Sequence, residues 1–258
     1  MKESNNKENV QEQFGKSAES YVTSTWHATG KDLMKLVELA ELQGNERVLD
    51  IATGGGHVAN ALAPSVKNVV AYDLTAEILQ AAKTFIESNG NKNVEFVQGD
   101  AEKLSFKGAE FDVITCRIAA HHFPNLQLFV KECFRTLKKG GQFLLIDNVA
   151  PERDDFDTFY NKVEKDRDYS HYRAWKKSEW LRILEEIGFE IDETRRFTKT
   201  FVFEDWTNRM KLSEEKKKEL SSYMLQASSE YHEKFRIKEE DGKVYSFMGE
   251  SILIKAVK

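Results

Sequence analysis

A glycine-rich run, DIATGGG at residues 50–56, follows a short apolar segment and precedes a segment of helical character. Glycine lets a backbone pass close to a ligand or adopt a positive φ, and a helix N-terminus offers unpaired N–H groups to an anion. Asp50 stands four residues before Gly54, where its carboxylate could accept hydrogen bonds from an ammonium group. These residue types predict a small-molecule site in which the loop backbone and one carboxylate contact the ligand.

Two further acidic residues follow predicted strands. Asp73 stands 23 residues after Asp50, and its carboxylate is placed to accept hydrogen bonds from two ribose hydroxyls. Asp100 follows Gly99, where it could reach an adenine amino group, although a solvated loop carboxylate is the alternative. The loop also fits the G-x-G-x-x-A pattern of NAD sites, and NAD would use Asp73 in the same way. Asp50 favours a cofactor with an ammonium group, which NAD lacks.

Two histidines supply the candidate proton acceptors. His121 and His122 come just after the fourth predicted strand, and either could act as a base if the substrate reacts through a hydroxyl or an acidic carbon. Arg117 could hold an anionic group of that substrate. The alternative is that the His-His-Phe-Pro run only ends the strand and packs the loop.

A second polar and aromatic cluster lies in RDYSHYRAW, which contains Asp168, His171, Tyr172, Arg173 and Trp175. On a lid, such a cluster would suit an aromatic or anionic substrate. The alternative is a surface helix with one packed tryptophan.

Alternating elements would position these residues. Short apolar segments at 47–51, 68–73, 94–98, 111–116 and 142–147 predict strands, and the segments between them have helical periodicity. This alternation predicts a parallel sheet covered by helices on both faces, with ligand-binding loops at the carboxyl ends of the strands. We expect residues 138–141 (KKGG) to stop the helix before the fifth strand.

The character of the chain changes after Pro151. Residues 178–187 predict a helix capped by Ser178, residues 204–234 are helical and charged, and residues 246–257 end as a strand that we expect to complete the sheet as an antiparallel edge. No linker separates a second domain. We therefore expect a single domain at 1–258, with a cofactor-binding core at about 30–150 and lid elements at about 1–29, 151–177 and 204–234.

Composition excludes several classes of protein. The 258 residues are 40% hydrophobic and carry a net charge of −5, so no basic field favours nucleic acid. The two cysteines, Cys116 and Cys133, lie in apolar segments and predict buried thiols in a cytoplasmic protein. No apolar run approaches the roughly 20 residues of a membrane span. The polar first ten residues predict a frayed tail.

Five motifs occur in order: VLDIATGGG (48–56), VVAYDLT (69–75), VQGDAEKLSF (97–106), FDVITCRIAAHHFPN (111–125) and LKKGGQFLLID (137–147). With these motifs the chain resembles the class I S-adenosylmethionine-dependent methyltransferases, and looks closest to the bacterial branch near the ubiquinone/menaquinone C-methyltransferases. The resemblance runs from Phe14 to the final strand. Ala52 stands where the family more often has glycine, and we expect its methyl group to be tolerated.

The resemblance implies a doubly wound, Rossmann-like sheet of seven strands with the last one antiparallel, and S-adenosylmethionine as the cofactor. It implies an N-terminal segment, including Tyr21, that folds over the cofactor. The predicted cofactor-binding residues are Asp50, Ala52, Thr53, Gly54, Gly56, Asp73, Leu74, Asp100, Ala101, Arg117 and Tyr21. The predicted catalytic residues are His121 and His122, and the predicted substrate-binding residues are Arg117, His171, Arg173 and Trp175.

Two metal sites can be considered and are disfavoured. Asp147 and Asn148 resemble the Asp-Asn pair of magnesium-dependent catechol-type relatives, but Arg117 stands where those enzymes need an acid. Cys116 could join the two histidines at zinc only if its thiol left the buried strand. We therefore expect no metal.

The predicted function is methyl transfer to a carbon or oxygen of a small molecule, in which the protein mainly positions the reactants. The alternatives are a non-catalytic S-adenosylmethionine-binding module and an NAD-type oxidoreductase. The oligomeric state is left open, including a homodimer.

Overall fold

The computed structural model describes residues 2–15 and 30–258, and in these residues one sheet holds eight strands. The strands are β1 (Arg47–Ile51), β2 (Asn68–Asp73), β3 (Val94–Gln98), β4 (Phe111–Arg117), β5 (Leu137–Val149), β6 (Glu190–Val202), β7 (Lys238–Glu240) and β8 (Lys243–Val257). Their order is β3-β2-β1-β4-β5-β8-β6, and β7 pairs with β8 off this path. The five strands from β1 to β5 are parallel, whereas β8 is antiparallel to its neighbours. The predicted doubly wound, mostly parallel sheet is confirmed, with the short β7 in addition.

Helices lie on both faces and over the strand ends. They are α1 (Lys2–Gly15), α2 (Lys31–Leu39), α3 (His57–Leu62), α4 (Ala76–Ser88), α5 (Leu126–Thr136), α6 (Asp154–Arg167), α7 (Lys177–Ile187), α8 (Phe203–Asn208), α9 (Glu214–Leu225) and α10 (Ser229–Phe235), with 3-10 turns at Ala63–Ser65 and Ala120–His122. Successive residues of a strand point to opposite faces, so Leu49 packs in one apolar cluster and its neighbour Val48 in the other. Helices therefore bury both faces of the parallel strands.

The final strand is not at the edge of the sheet, so that expectation is wrong. β8 lies between β5 and β6, and its end is apolar on both faces, with Ile252, Leu253 and Ile254 all buried. β6 is the edge strand, and many of its side chains are exposed. The continuous apolar run of β8 is what a central strand requires.

Two local expectations are also wrong. The run at 138–141 is part of β5, where the pairing with β4 slips between Phe111 and Val113, and Gly140 adopts φ +75°. The glycines thus serve an irregularity in the strand, while α5 already ends at Thr136. Lys176, not Ser178, precedes the first residue of α7, and the Ser178 hydroxyl donates to Glu152 instead.

The predicted frayed N-terminal tail is the helix α1. Side chains of α1 donate hydrogen bonds to backbone carbonyls elsewhere in the protein. Asn6 Nδ2 donates to the carbonyl of His122 at 2.9 Å, and Gln11 Nε2 donates to the carbonyl of Leu74 at 3.2 Å. Polar composition hid this helix because α1 is held largely by hydrogen bonds to loops at the strand ends, together with the packing of Phe14 against the His122 ring.

A third apolar cluster lies beyond the parallel strands. Trp206, Phe247 and Tyr160 are buried in it, and α6 and α8–α10 pack there on the far halves of β6 and β8. The late part of the chain therefore covers an extension of the main sheet. None of the described helices is both long and apolar enough to cross a membrane.

Candidate functional site

A cleft lies at the carboxyl ends of β1, β2 and β4, and α1 contributes to its wall. Among its lining residues are the predicted cofactor-binding residues Asp50, Ala52, Thr53, Gly54, Asp73, Leu74, Asp100, Ala101 and Arg117. Gly56 lies just beyond them as the residue that precedes α3, and Tyr21 is outside the described residues. The sequence motifs thus meet at one place in space.

Positive φ values shape the loop between β1 and α3. Ala52 has φ +52°, Gly54 +53° and Gly56 +80°. A Cβ on Gly56 would lie 2.8 Å from Cδ1 of Ile86, so this glycine is also required by close packing against α4. Ala52 holds a left-handed conformation that costs an L-residue roughly 1–2 kcal/mol. The structure therefore accommodates alanine at this position, with strain in its backbone.

Asp50 is buried beneath this loop and holds it in place. One carboxylate oxygen accepts from the Thr115 hydroxyl at 2.7 Å, and the other accepts from the Thr53 hydroxyl at 2.6 Å and from the Ala59 N–H at 3.2 Å. Burial raises the pKa of Asp50 to about 6, although the hydroxyl donors oppose the rise. The carboxylate therefore anchors the loop as well as lining the cleft.

Asp73 is fixed at the end of β2 by backbone donors. Its two oxygens accept from the N–H groups of Gly54 and Thr75, each at 3.0 Å. Burial raises the pKa of Asp73 to about 6, and these N–H groups oppose the rise. The glycine loop and the β2 end are thus joined by one carboxylate that faces the cleft.

Lys7 of α1 crosses the end of the cleft that follows β3, a residue that the sequence analysis missed. Its ammonium lies 2.7 Å from Asp100 Oδ2 and 2.5 Å from Glu102 Oε2. Behind Asp100, Gly99 packs so tightly that a Cβ there would lie 2.0 Å from the Tyr72 hydroxyl oxygen. A polar helix with two lysines carries no sequence signal that would connect Lys7 to carboxylates more than 90 residues away.

Arg117 is held in a buried ion pair at the end of β4. Its Nε donates to Asp32 Oδ2 at 2.9 Å, and both side chains are less than a tenth exposed. Burial alone would raise the pKa of Asp32, but the hydrogen bond and charge of Arg117 lower it. Ile118 follows with φ +56°, which is rare for a β-branched residue and marks strain at the cleft wall.

His121 forms a dyad with Asp147. Its Nδ1 lies 2.6 Å from Asp147 Oδ1, and its backbone N–H donates to Asp147 Oδ2 at 2.7 Å. Burial lowers the pKa of His121, but the Asp147 carboxylate more than reverses this, so the pKa is raised. With Nδ1 donating to the carboxylate, Nε2 is the basic nitrogen of the neutral ring.

His122 lines the cleft beside this dyad. Its Nδ1 lies 3.0 Å from the carbonyl oxygen of Ser170, and the ring of Phe14 packs edge-on against it at 5.1 Å. Burial and the neighbouring His121 lower the pKa of His122 to about 4. The two histidines that the sequence could not distinguish therefore differ in environment and in basicity.

The second predicted cluster supports His121 from outside the cleft. Residues 168–176 follow α6 as an irregular segment, so the surface-helix alternative is wrong. The N–H groups of Tyr172 and Arg173 both donate to the His121 carbonyl at 2.9 Å, and the buried His171 ring lies 5.5 Å from the His121 ring. His171 is thus close to the dyad without lining the cleft.

Arg173 and Trp175, predicted to bind substrate, contact other parts of the protein. The Arg173 guanidinium donates to Asp157 at 2.9 Å and stacks over the Trp175 ring at 5.1 Å. Neither residue is among those that line the cleft.

The considered metal ligands have other roles. Asp147 binds His121, and burial raises the pKa of the fully buried Cys116 well above its ordinary value, which disfavours a thiolate. Among residues 2–15 and 30–258, no group of three or more histidine, cysteine or acidic side chains is placed to hold a metal ion.

The acidic glycine-loop cleft on this sheet defines a class I S-adenosylmethionine-dependent methyltransferase. Residues 49–145 match the family described as "Methyltransferase domain". The uncharacterized methyltransferase YcgJ of Bacillus subtilis (strain 168) is 36% identical to this chain. The match covers 95% of this chain and 97% of YcgJ. The chain therefore belongs to the methyltransferase family, and its cofactor is S-adenosylmethionine.

Two further proteins are similar over much of the chain. A Bacillus halodurans C-125 protein assigned as a methyltransferase is 63% identical in sequence to this chain. Its crystal structure matches with a TM-score of 0.88, and the match covers 89% of this chain and 99% of that one. The demethylmenaquinone methyltransferase of Lactococcus lactis subsp. lactis (strain IL1403) is 27% identical over 68% of this chain and 74% of its own length. Membership of this family overturns the NAD-type oxidoreductase alternative.

Proposed function

We propose that this methyltransferase transfers a methyl group to a carbon or oxygen of a small molecule, within one domain whose lid elements cover the strand ends. The observation that carries the proposal is the single cleft that joins the glycine loop, Asp73 and Asp100 to the loop of the two histidines. A small acceptor suits this arrangement because α1 and the segment after α6 both pack against the histidine loop.

The cleft residues fit the cofactor. Four carboxylates, those of Asp50, Asp73, Asp100 and Glu102, line the cleft with two cationic side chains. This excess of negative charge suits a sulfonium and an ammonium, whereas the pyrophosphate of a dinucleotide would be repelled. We assign Asp73 to the ribose hydroxyls, Asp100 and Ala101 to the adenine, and the loop from Ala52 to Gly56 to the amino-acid end.

S-Adenosylmethionine supplies a methyl group that is already activated for in-line displacement, so the residues of the protein chiefly position the acceptor and exclude water. His122, neutral at pH 7, forms part of the wall beside the reacting groups. His121 accepts the proton that a hydroxyl or acidic-carbon acceptor must lose, and Asp147 stabilises the imidazolium that results. Arg117 contributes positive charge near the acceptor.

Calorimetric titration with S-adenosylmethionine and S-adenosylhomocysteine tests the cofactor assignment. We expect binding of both ligands by the wild type and at least tenfold weaker binding by Asp73→Ala, because the ribose would lose a charged hydrogen-bond partner. Asp166→Ala, which removes an exposed carboxylate on α6, is the matched control and should bind normally. Equal affinity in wild type and Asp73→Ala would refute the assignment.

A screen of small acceptors with radiolabelled methyl donor then tests the reaction. Binding of the cofactor with no transfer to any small molecule, but with transfer to a protein or nucleic acid, would contradict the proposed acceptor class.

A further inference from the structure

A second polar site lies beside the cofactor cleft, where β6 and β8 pass beneath α6. Lys199 of β6 is only 8% exposed, and it pairs directly with Gly249 of β8. Directly opposed residues of antiparallel strands project from the same face of a sheet. The Tyr160 hydroxyl oxygen lies 3.4 Å from the place that a Cβ on Gly249 would occupy. The lysine and the tyrosine hydroxyl therefore share one face of this two-strand ribbon.

Ser251 Oγ is buried and has no hydrogen-bond partner in the described part of the chain, and the buried Tyr160 hydroxyl and Glu164 Oε1 have none there besides each other. The three residues are at most 4% exposed. Glu164 stands one helical turn after Tyr160 on α6, and Ser251 lies two residues after Gly249, on the same face of β8. Burying polar groups with few hydrogen-bond partners is costly, so their convergence at one place indicates a ligand-binding role.

Lys199 is buried, and charged groups at the methyl-transfer site act on its ammonium. Burial lowers the pKa of Lys199 to about 8, although the charges of Asp32 and Asp147 oppose the fall. Asp32 is the partner of Arg117, which lines the cofactor cleft, and Asp147 is the partner of His121. Lys199 therefore interacts electrostatically with the partner of a residue on the cleft wall and with the partner of the candidate base.

The walls of the site are aromatic. Phe197 and Phe201 lie two residues before and after Lys199 on the same face of β6, and Cε2 of Phe201 approaches the position of a Gly249 Cβ to 2.9 Å. Phe201 and Tyr160 therefore leave no room for a side chain at position 249. Apolar walls with a few convergent polar groups are typical of small-molecule sites.

We propose that Lys199, Tyr160, Glu164 and Ser251 form the binding site of the methyl acceptor, and that this acceptor is a small aromatic molecule with an anionic oxygen group. The ammonium and the two hydroxyls bind the anionic oxygens, and Oε1 of Glu164 accepts a hydrogen bond from a hydroxyl of the acceptor. The aromatic body packs between the phenylalanines. This proposal rests on the proposed methyl transfer and names the acceptor class for it.

Binding of 4-hydroxybenzoate to the protein saturated with S-adenosylhomocysteine tests the site, with the neutral 4-hydroxybenzamide as the comparison probe. We expect the carboxylate probe to bind more tightly than the amide to the wild type. Lys199→Gln should weaken the binding of the carboxylate probe by about tenfold or more, because a charged hydrogen bond is lost. The preference for the carboxylate over the amide should then disappear. Tyr160→Phe, which keeps the ring, should weaken it by a smaller factor.

Lys162→Gln is the matched control, because Lys162 lies on the exposed side of α6 in an ion pair with Asp166. Lys162→Gln should leave the affinity for both probes unchanged. Each variant is also titrated with S-adenosylhomocysteine alone, and this affinity should stay at the wild-type value. If the wild type does not bind S-adenosylhomocysteine, the proposed function itself is refuted. Normal cofactor binding with no preference for the carboxylate, or with a preference that Lys199→Gln and Tyr160→Phe both keep, would overturn the acceptor site.

Discussion

His121 and His122 are adjacent in sequence, yet the structure gives them opposite properties. Asp147 lies 2.6 Å from His121 and raises its pKa, whereas burial and the neighbouring imidazole lower the pKa of His122 to about 4. A general base works best when its pKa is near the working pH. His121 is therefore the better proton acceptor of the two.

Asp147→Asn tests this role through pH dependence. His121 acts as a base only when neutral, so methyl transfer should fall as the pH drops below its raised pKa. The variant loses the charge that raises this pKa, so the acid limb of kcat/KM should move to lower pH and the maximal rate should decrease. The pH profile of methyl transfer measures both effects, and NMR titration of the ring checks the pKa directly. An unchanged acid limb would assign the dyad a purely structural role.

Nine of the cofactor-binding residues predicted from the sequence line the cleft, but the sequence did not identify those that approach it from distant elements. Asp50, Asp73 and Asp100 each follow a parallel strand, and the carboxyl ends of such strands meet at one edge, so their convergence could be predicted. Lys7, Asp32 and Lys199 lie on elements whose position depends on tertiary packing. Their types and spacing are those of ordinary surface charges, and only the folded structure shows where they lie.

At the scale of elements, α1 is held over the cofactor cleft mainly by polar contacts. Lys7 joins Asp100 and Glu102, Asn6 donates to the His122 carbonyl, and Gln11 donates to the Leu74 carbonyl. Such a helix has little apolar area to bury, so it can detach at small cost. We infer that α1 moves when the cofactor enters or leaves.

Lys7→Ala should therefore speed the release of S-adenosylhomocysteine. The ion pairs are partly exposed and worth at most about 1 kcal/mol, so we expect the release rate to rise by up to about fivefold. Lys35→Ala, which breaks an exposed ion pair with Glu38 on α2, is the control and should not change release. Stopped-flow displacement measures the rates. Release that is equally fast in wild type and Lys7→Ala would show that α1 does not limit exit.

At the scale of the whole molecule, the alternation of strands and helices was sufficient to predict a mostly parallel sheet with helices on both faces. It could not place β8, whose central position depends on which strand buries both faces. Residues 252–254 are apolar in the sequence, but a short apolar run fits an edge or a centre until the sheet is assembled. The short β7 carries three exposed charged residues and no strand signal.

β6 and β8 connect the parallel core to the cluster around Trp206, and this continuity predicts how the protein unfolds. Ile252 and Ile254 of β8 pack in the parallel core, while Val244 and Phe247 of the same strand pack in the other cluster. Neither cluster can lose its strands alone, so calorimetry should show one unfolding transition. S-Adenosylhomocysteine at 100 times its Kd should raise the Tm of that whole transition by roughly 5 °C, and at the same ligand concentration Asp73→Ala should reduce the shift by about half or more. Two transitions, of which the ligand moved only one, would mean that residues 151–258 hold an independent unit and that the single-domain proposal is wrong.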